Sequence, residues 1–109
     1  MKLTMMTDLY QLTMSNGYFL KGDKNKKMVF DAFFRENPSK GGYAIVCGTD
    51  QVIEYIQSLK FTKEDIDYLA SLKLFDQGFL DYLEAFEFTG EIYAVEEGTI
   101  LFPNEPMIR

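Results

Sequence analysis

Apolar residues near the start of the chain recur at the spacing of an α-helix. Thr7 or Asp8 can cap this helix, which we expect to run to about Phe19. It carries two apolar stripes, one of Leu9, Leu12 and Phe19 and a second, at i+4 spacing, of Tyr10, Met14 and Tyr18. Two stripes predict a helix that is covered on more than one side. Gly17 costs about 1 kcal/mol relative to alanine inside a helix, and we expect close packing at that position.

Residues 28–35 alternate in polarity and predict a β-strand. One face consists of Met28, Phe30, Ala32 and Phe34, and we expect it to face the core. The opposite face mixes apolar residues with Asp31 and Arg35, which indicates a surface that leads into a polar site. Pro38 and the pair Gly41-Gly42 predict the turn that follows.

The middle of the chain predicts one short strand and three helices. The strand is 43–47, and Thr49 or Asp50 caps the helix after it. A capping box at Thr62–Asp65 opens the next helix, and Asp76 opens the last. The residues expected to point inward are Val52, Ile53, Ile56 and Leu59, then Ile66 and Leu69, then Leu80, Leu83 and Phe86.

Toward the end of the chain, the pattern of apolar residues changes to the two-residue period of β-strands. Residues 92–95 and 99–102 predict a hairpin with a turn at 96–98. Glu96 and Glu97 are expected to be solvated in that turn rather than to form a catalytic pair. Residues 107–109 begin another alternation without a later segment to pair with. We therefore expect an unpaired apolar edge and a chain that is the front part of a longer protein.

Composition predicts one domain over residues 1–109, because 47% of the residues are hydrophobic and 16% are aromatic. The net charge of −6 argues against nucleic-acid binding, which needs a basic surface. The densest basic stretch, KGDKNKK at 21–27, is expected to be a solvated loop. No signal peptide or membrane span is evident, which favours a soluble cytoplasmic protein.

The residue inventory limits the chemistry that the chain can perform. It has no histidine, the commonest general acid–base and transition-metal ligand. The one cysteine, Cys47, lies in an apolar run and is expected to be buried and inert. No glycine-rich phosphate loop or metal-ligand cluster is evident. An enzyme built from this chain alone would need carboxylates, tyrosine, lysine or a cofactor.

Two residues are candidates for ligand contact, each with a plainer alternative. Tyr10 sits near the start of the first helix, where an aromatic at helical spacing is more often part of a core. Arg35 ends the aromatic strand 28–35, and its guanidinium suits bidentate contact with a phosphate. The alternative for Arg35 is a surface ion pair with Asp31, which has little energetic value.

Five segments in register resemble the N-terminal region of nicotinate phosphoribosyltransferase, and together they cover nearly the whole chain. They are TDLYQLTMSNGYF, FDAFFRENP, GGYAIVCGTDQVIEYI, FTKEDIDYLASLKLFD and FTGEIYAVEEGTILFPNEPMIR. The resemblance implies an α+β fold, the N-terminal sandwich-type domain of a type II phosphoribosyltransferase. It also implies that the α/β barrel domain of the family is absent from this chain.

The resemblance implies an activity for the whole enzyme. Nicotinate and phosphoribosyl pyrophosphate would give nicotinate mononucleotide and pyrophosphate in NAD salvage, a glycosyl transfer with ATP hydrolysis that is classed among the ligases. ATP and Mg are expected for the full-length enzyme, and no cofactor is expected on this chain. The family works as a homodimer with active sites at the subunit interface. The preference for nicotinate over nicotinamide rests wholly on the resemblance.

The resemblance carries two residue roles onto this sequence. Tyr10 matches the tyrosine of the TDLYQ motif, which stacks on the nicotinate ring. Arg35 matches the arginine of FFRENP, which lies near the phosphate of phosphoribosyl pyrophosphate. The histidine that ATP phosphorylates has no counterpart here, so we expect no catalytic residue in this chain and no activity from it alone. The alternative is a free-standing, non-catalytic interaction or regulatory module derived from this domain.

Overall fold

The computed structural model describes residues 3–109, which contain four α-helices and one two-stranded sheet. The elements are α1 (Leu9–Leu20), β1 (Ala44–Ile45), α2 (Thr49–Ser58), α3 (Lys63–Ser71), α4 (Gln77–Glu84) and β2 (Ile100–Leu101), with a 3₁₀ turn at Pro38–Lys40. The chain divides into two compact units. The first takes in the chain up to Lys27 and the segment Ser58–Phe88, and the second takes in Met28–Gln57 and Thr89–Arg109.

The core of the first unit lies between α3 and α4. Its buried residues are Ile66, Leu69, Phe79, Leu80 and Leu83. The inward positions predicted for these two helices are therefore confirmed for Ile66, Leu69, Leu80 and Leu83, while Phe79 adds a buried ring that the periodicity did not single out. Partly buried aromatics close the cluster, including Phe19 from α1 and Phe61, Phe75 and Tyr82.

Local side-chain hydrogen bonds fix where these helices begin. Thr62 and Asp65 form the predicted capping box, in which the Thr62 N–H donates to Asp65 Oδ2 at 2.8 Å. Asp76 caps α4 as predicted, with its Oδ1 2.9 Å from the Gly78 nitrogen. Both caps satisfy backbone N–H groups that have no partner inside the helix.

Helix α1 begins after Asp8, within the predicted bounds, and packs by one side only. Leu12 and Phe19 lie against the core of the first unit. Leu9, which was predicted to share that side, is exposed, as are the three residues of the second stripe. A Cβ atom built on Gly17 would meet nothing within 4 Å, so the close packing expected there is not made within the described chain.

Gly78 of α4 is the glycine that permits a close approach in the first unit. A Cβ atom at this position would lie 3.4 Å from a ring carbon of Phe19 and 3.0 Å from Asp76 Oδ1. The Phe19 ring then packs on Phe79 and Tyr82, with centroids 5.9 and 5.5 Å away. The missing side chain at Gly78 thus lets α1 lie against α4.

The sheet of the second unit pairs segments that are distant in the sequence. Strands β1 and β2 are antiparallel, with Ala44 opposite Leu101 and Ile45 opposite Ile100. The predicted hairpin between 92–95 and 99–102 is therefore wrong. The long-range pairing is favoured because it buries Val46 and Leu101 together, which a local hairpin would not do.

Residues 107–109 are paired on both sides, so the predicted unpaired edge is wrong as well. Ile108 bridges to Ala32 and to Ala94 in antiparallel fashion. The Tyr93 and Arg109 backbones exchange two hydrogen bonds of 2.7 Å. The segment 107–109 therefore lies between 93–95 and Ala32, and it holds the second unit together through the backbone.

Residues 28–35, predicted as a strand, do not form a regular strand. The segment pairs with Ile108 through a β-bridge at Ala32. Met28 and Phe30, which were expected to face the core, are exposed together with Val29. No element among residues 3–109 covers these side chains. This expected core face was therefore wrong for the chain as described.

The N-terminus of α2 is capped from 48 residues away. The Glu97 carboxylate accepts hydrogen bonds from the Gly48 N–H (2.8 Å), the Thr49 hydroxyl (3.0 Å) and the Asp50 N–H (3.1 Å). Thr49 and Asp50, the predicted caps, are thus donors to Glu97, and Thr49 is buried. Glu97 is exposed in the turn, as predicted, but its carboxylate also caps α2, whereas Glu96 has no such contact among residues 3–109.

The basic segment 21–27 is a loop as expected, in which Lys26 pairs with Asp23 at 2.8 Å.

Helix α1 is the longest of the described helices at 12 residues, and none of them has the length and apolar character needed to cross a bilayer.

The cap at α2 predicts how stability depends on pH. The hydrogen bond from the Asp50 N–H lowers the pKa of Glu97 below its usual value of 4.5. Partial desolvation opposes this shift, and the hydrogen bonds from Thr49 and Gly48 act in the same direction as the bond from Asp50. Because the folded pKa is depressed, the cap stabilises the fold above the unfolded pKa and is lost as the pH falls through the folded pKa. Glu97→Gln should therefore lower the urea midpoint of unfolding at about pH 7. It should also reduce the amount by which that midpoint falls between about pH 7 and about pH 3.

Glu54→Gln is the matched control for this measurement, because Glu54 is an exposed residue on the same helix. It should leave the midpoint and its pH dependence close to those of the parent chain. An unchanged pH dependence in Glu97→Gln would contradict the role given to the cap.

Candidate functional site

Tyr10 is the second residue of α1, and the start of that helix is held by polar contacts around it. The Asp8 N–H donates to Gln11 Oε1 at 3.3 Å, and the Thr7 hydroxyl hydrogen bonds to the same oxygen. The Thr13 hydroxyl donates to the Tyr10 carbonyl at 3.1 Å. These contacts fix the backbone that carries Tyr10, so its ring is presented from a defined position.

The side chain of Tyr10 faces outward. It is 58% exposed, and no hydrogen bond of its hydroxyl and no ring contact occurs among residues 3–109. Met14 and Tyr18 are exposed beside it, and we call these three residues the α1 stripe. Core packing, the plainer alternative for Tyr10, is thus not observed among residues 3–109. An aromatic ring with free faces can stack on a flat ligand.

Arg35 lies in a bend of the second unit and is exposed. The residue before it is tied down, because the Phe34 carbonyl accepts a hydrogen bond of 2.8 Å from the Asn104 N–H. Among residues 3–109, Arg35 itself makes no hydrogen bond or ion pair. Its guanidinium is therefore open to bidentate contact with an anion.

Asp31, the alternative ion-pair partner predicted for Arg35, pairs with Arg109 instead. Asp31 accepts two hydrogen bonds from Arg109, with Nε–Oδ1 at 2.7 Å and Nη2–Oδ2 at 3.1 Å. These bonds lower the pKa of Asp31 and raise the pKa of Arg109. Because both carboxylate oxygens are engaged by Arg109, the predicted pairing of Arg35 with Asp31 is wrong, and Arg35 keeps its charge unneutralised.

The segment after Arg35 carries features that sequence reasoning missed. Ser39 and Lys40 have φ angles of 59° and 56°, in the left-handed region that non-glycine residues rarely adopt. The Asn37 Oδ1 atom is buried without a hydrogen-bond partner among residues 3–109. Such strain and such unpaired polar atoms concentrate at functional sites. The turn residues in NPSKGG were the signal, although they indicated only a turn.

The remaining candidate chemistry is limited. Cys47 is exposed, so its predicted burial is wrong. The reason is that the alternation of exposure along 43–47 turns Val46, not Cys47, toward the interior. Residues 3–109 contain no group of three or more His, Cys, Asp or Glu side chains placed to hold a metal ion. Tyr10 belongs to the first unit and Arg35 to the second.

Residues 5–109 match the family model described as the nicotinate phosphoribosyltransferase (NAPRTase) N-terminal domain. The chain belongs to this family. It is similar to nicotinate phosphoribosyltransferase of Bacillus subtilis, with 40% identity over 107 residues that cover 98% of this chain and 22% of the relative. It is also similar to nicotinate phosphoribosyltransferase 2 of Arabidopsis thaliana, with 36% identity over 96% of this chain and 19% of the relative.

The fold agrees with this family. The crystal structure of human nicotinic acid phosphoribosyltransferase superimposes with a TM-score of 0.81 and 31% identity, over 94% of this chain and 21% of that chain. The chain thus spans about a fifth of the length of the NAPRTase relatives it matches. The predicted α+β fold class is confirmed, and the barrel domain of the family lies outside this chain.

Proposed function

We propose that this chain is the N-terminal domain, over residues 1–109, of an enzyme that makes nicotinate mononucleotide and pyrophosphate. The substrates would be nicotinate and phosphoribosyl pyrophosphate, with ATP hydrolysis, in cytoplasmic NAD salvage. The observation that supports this most is an exposed tyrosine, Tyr10, in the TDLYQ motif of a chain matched along nearly its whole length by NAPRTase relatives. The relatives are named as enzymes, which favours this function over a free-standing regulatory module.

Tyr10 contributes a stacking face for the nicotinate ring. The pyridine ring is flat, and offset stacking on an aromatic side chain is worth about 0.5–1.5 kcal/mol beyond simple burial. The α1 stripe supplies further apolar surface next to it, through Met14 and Tyr18. In a homodimer with active sites at the subunit interface, this stripe would face the partner subunit and its substrate.

Arg35 contributes charge for the phosphate of phosphoribosyl pyrophosphate. The chain has a net charge of −6, so a polyanionic substrate requires local cations. The guanidinium of Arg35 is exposed and unpaired among residues 3–109, while Arg109 is occupied by Asp31. Arginine is the side chain best suited to bidentate phosphate contact.

The reaction passes through an oxocarbenium-like centre while pyrophosphate leaves, so orientation and electrostatics supply most of the catalysis. Tyr10 would orient the acceptor ring, and Arg35 would hold a phosphate of the donor. The described residues offer no metal-ligand group and the sequence has no histidine. We expect Mg and ATP to be bound by the rest of the enzyme.

The chain alone should form no nicotinate mononucleotide above a no-protein control, because it carries only part of the substrate contacts. The longer product of the same gene should form it from nicotinate, phosphoribosyl pyrophosphate and ATP. Sequencing downstream of codon 109 should show an in-frame barrel domain. Product formation by the chain alone would contradict the claim that it carries only part of the substrate contacts. A stop codon directly after codon 109 would favour the regulatory module.

Tyr10→Ala in the full-length enzyme should raise the KM for nicotinate about three- to tenfold, the loss expected from one stacking contact. The Tm should change little, because the ring is 58% exposed in this chain. Tyr68→Ala is a matched control, since Tyr68 lies on α3 and is also 58% exposed. An unchanged KM together with a large fall in Tm would show that Tyr10 is only a packing residue.

Arg35→Ala should raise the KM for phosphoribosyl pyrophosphate about ten- to a hundredfold, in line with the loss of charged hydrogen bonds. Arg35→Lys should recover part of this loss, because lysine keeps the charge without the bidentate geometry. Steady-state kinetics with each substrate varied in turn separate the two roles. A defect confined to nicotinate would rule out the phosphate contact.

A further inference from the structure

The ribbon formed by β1 and β2 has two different faces. Exposure alternates along residues 43–47 and 100–102, which comprise the two strands and the residues beside them. The inward residues are Ala44, Val46 and Leu101, of which Val46 and Leu101 are buried. The outward residues are Tyr43, Ile45, Cys47, Ile100 and Phe102, which we call the outer ribbon face.

The outer ribbon face is apolar although it is exposed. Ile45 and Ile100 are cross-strand partners on this face, and they are 62% and 54% exposed. Tyr43 and Phe102 extend the face at one end of the ribbon, and none of its residues is charged. An antiparallel sheet that faces water on one side normally alternates apolar-in with polar-out. Contiguous exposed apolar patches of this kind mark interaction surfaces.

We propose that the outer ribbon face is covered by an apolar surface from the remainder of the same polypeptide, an inference that rests on the function proposed above. The chain spans only about a fifth of the length of its relatives, so most of a full-length enzyme is available to cover it. The last residues, 107–109, pair with Ala32 and Ala94 in the unit that carries the ribbon. Any residues that follow would start from that unit.

The size of the face distinguishes a covalently attached partner from a second copy of the chain. Its four large side chains, each about half exposed, present on the order of 400 Å², since a large aromatic buries about 150–250 Å². A stable dimer needs about 800 Å² from each partner. A segment of the same polypeptide does not lose the translational and rotational freedom that association costs, so a face of this size is sufficient for it.

The thiol of Cys47 reports on coverage of the face without any substitution. The test protein is the full-length gene product or, should the coding sequence end at codon 109, residues 1–109 joined to the remainder of the Bacillus subtilis relative. Iodoacetamide labelling of Cys47 is quantified by peptide mass spectrometry in the native protein and in the same protein unfolded in urea. Labelling should be about tenfold or more slower in the native protein, because alkylation then requires local opening.

Comparable labelling rates in the native and unfolded protein would overturn the proposal. Protection that disappears on dilution would overturn it too, because the face would then belong to a contact between copies. Formation of nicotinate mononucleotide by the same protein tests the proposed function separately, since labelling needs no turnover. An active enzyme with an unprotected Cys47 would leave the proposed function standing and remove the interface.

A charge placed on the face gives a second readout. Ile45→Lys should lower the Tm of the same protein by about 2 °C or more, because the ammonium group would be buried or the interface opened. Gln57→Lys, at an exposed position of α2 in the same sequence region, is the control and should leave the Tm unchanged. Equal Tm values for the two variants would contradict the interface, and Cys47 labelling decides the matter if Ile45→Lys does not fold.

Discussion

The packing of Phe19 on α4 is the contact on which the functional side of the first unit depends. Its ring fits against Gly78 and contacts Phe79 and Tyr82, and the Lys24 ammonium lies 5.5 Å from its centroid. Since a helix is rigid over three turns, anchoring one side determines what the opposite side presents. The α1 stripe is exposed because Leu12 and Phe19 are held, so the position of Tyr10 follows from a packing contact nine residues away.

The second unit is held by contacts between residues far apart in the sequence. The Glu97 carboxylate ties the turn at 96–98 to the start of α2, and Ile108 joins Ala32 and Ala94. Each contact closes a long loop, whose entropic cost is recovered through backbone hydrogen bonds and the burial of Val46 and Leu101. The ion pair between Asp31 and Arg109 reinforces the same closure, and Arg35 is left without an ion-pair partner among residues 3–109.

The helices could be predicted from the sequence because their determinants are local. Thr62 and Asp76 each lie within one turn of the backbone groups that they cap, and apolar spacing shows which side turns inward. Strand pairing has no such local determinant. Residues 99–102 carry the same alternation whether they pair with 92–95 or with 44–45, and only the global burial of apolar surface decides between them. The cap from Glu97 was missed for the same reason.

The remaining errors share a different cause. An apolar pattern indicates that a surface is buried in the complete protein, but it does not indicate which part of the protein buries it. Met28, Phe30, Ile45 and Ile100 satisfy the pattern of buried positions and are nevertheless exposed in a chain that spans a fifth of its relatives. The same argument applies to Tyr10, whose two possible roles look identical in the sequence. Exposure shows only that Tyr10 is not packed within residues 3–109, which leaves its ring faces free for a ligand or a partner chain.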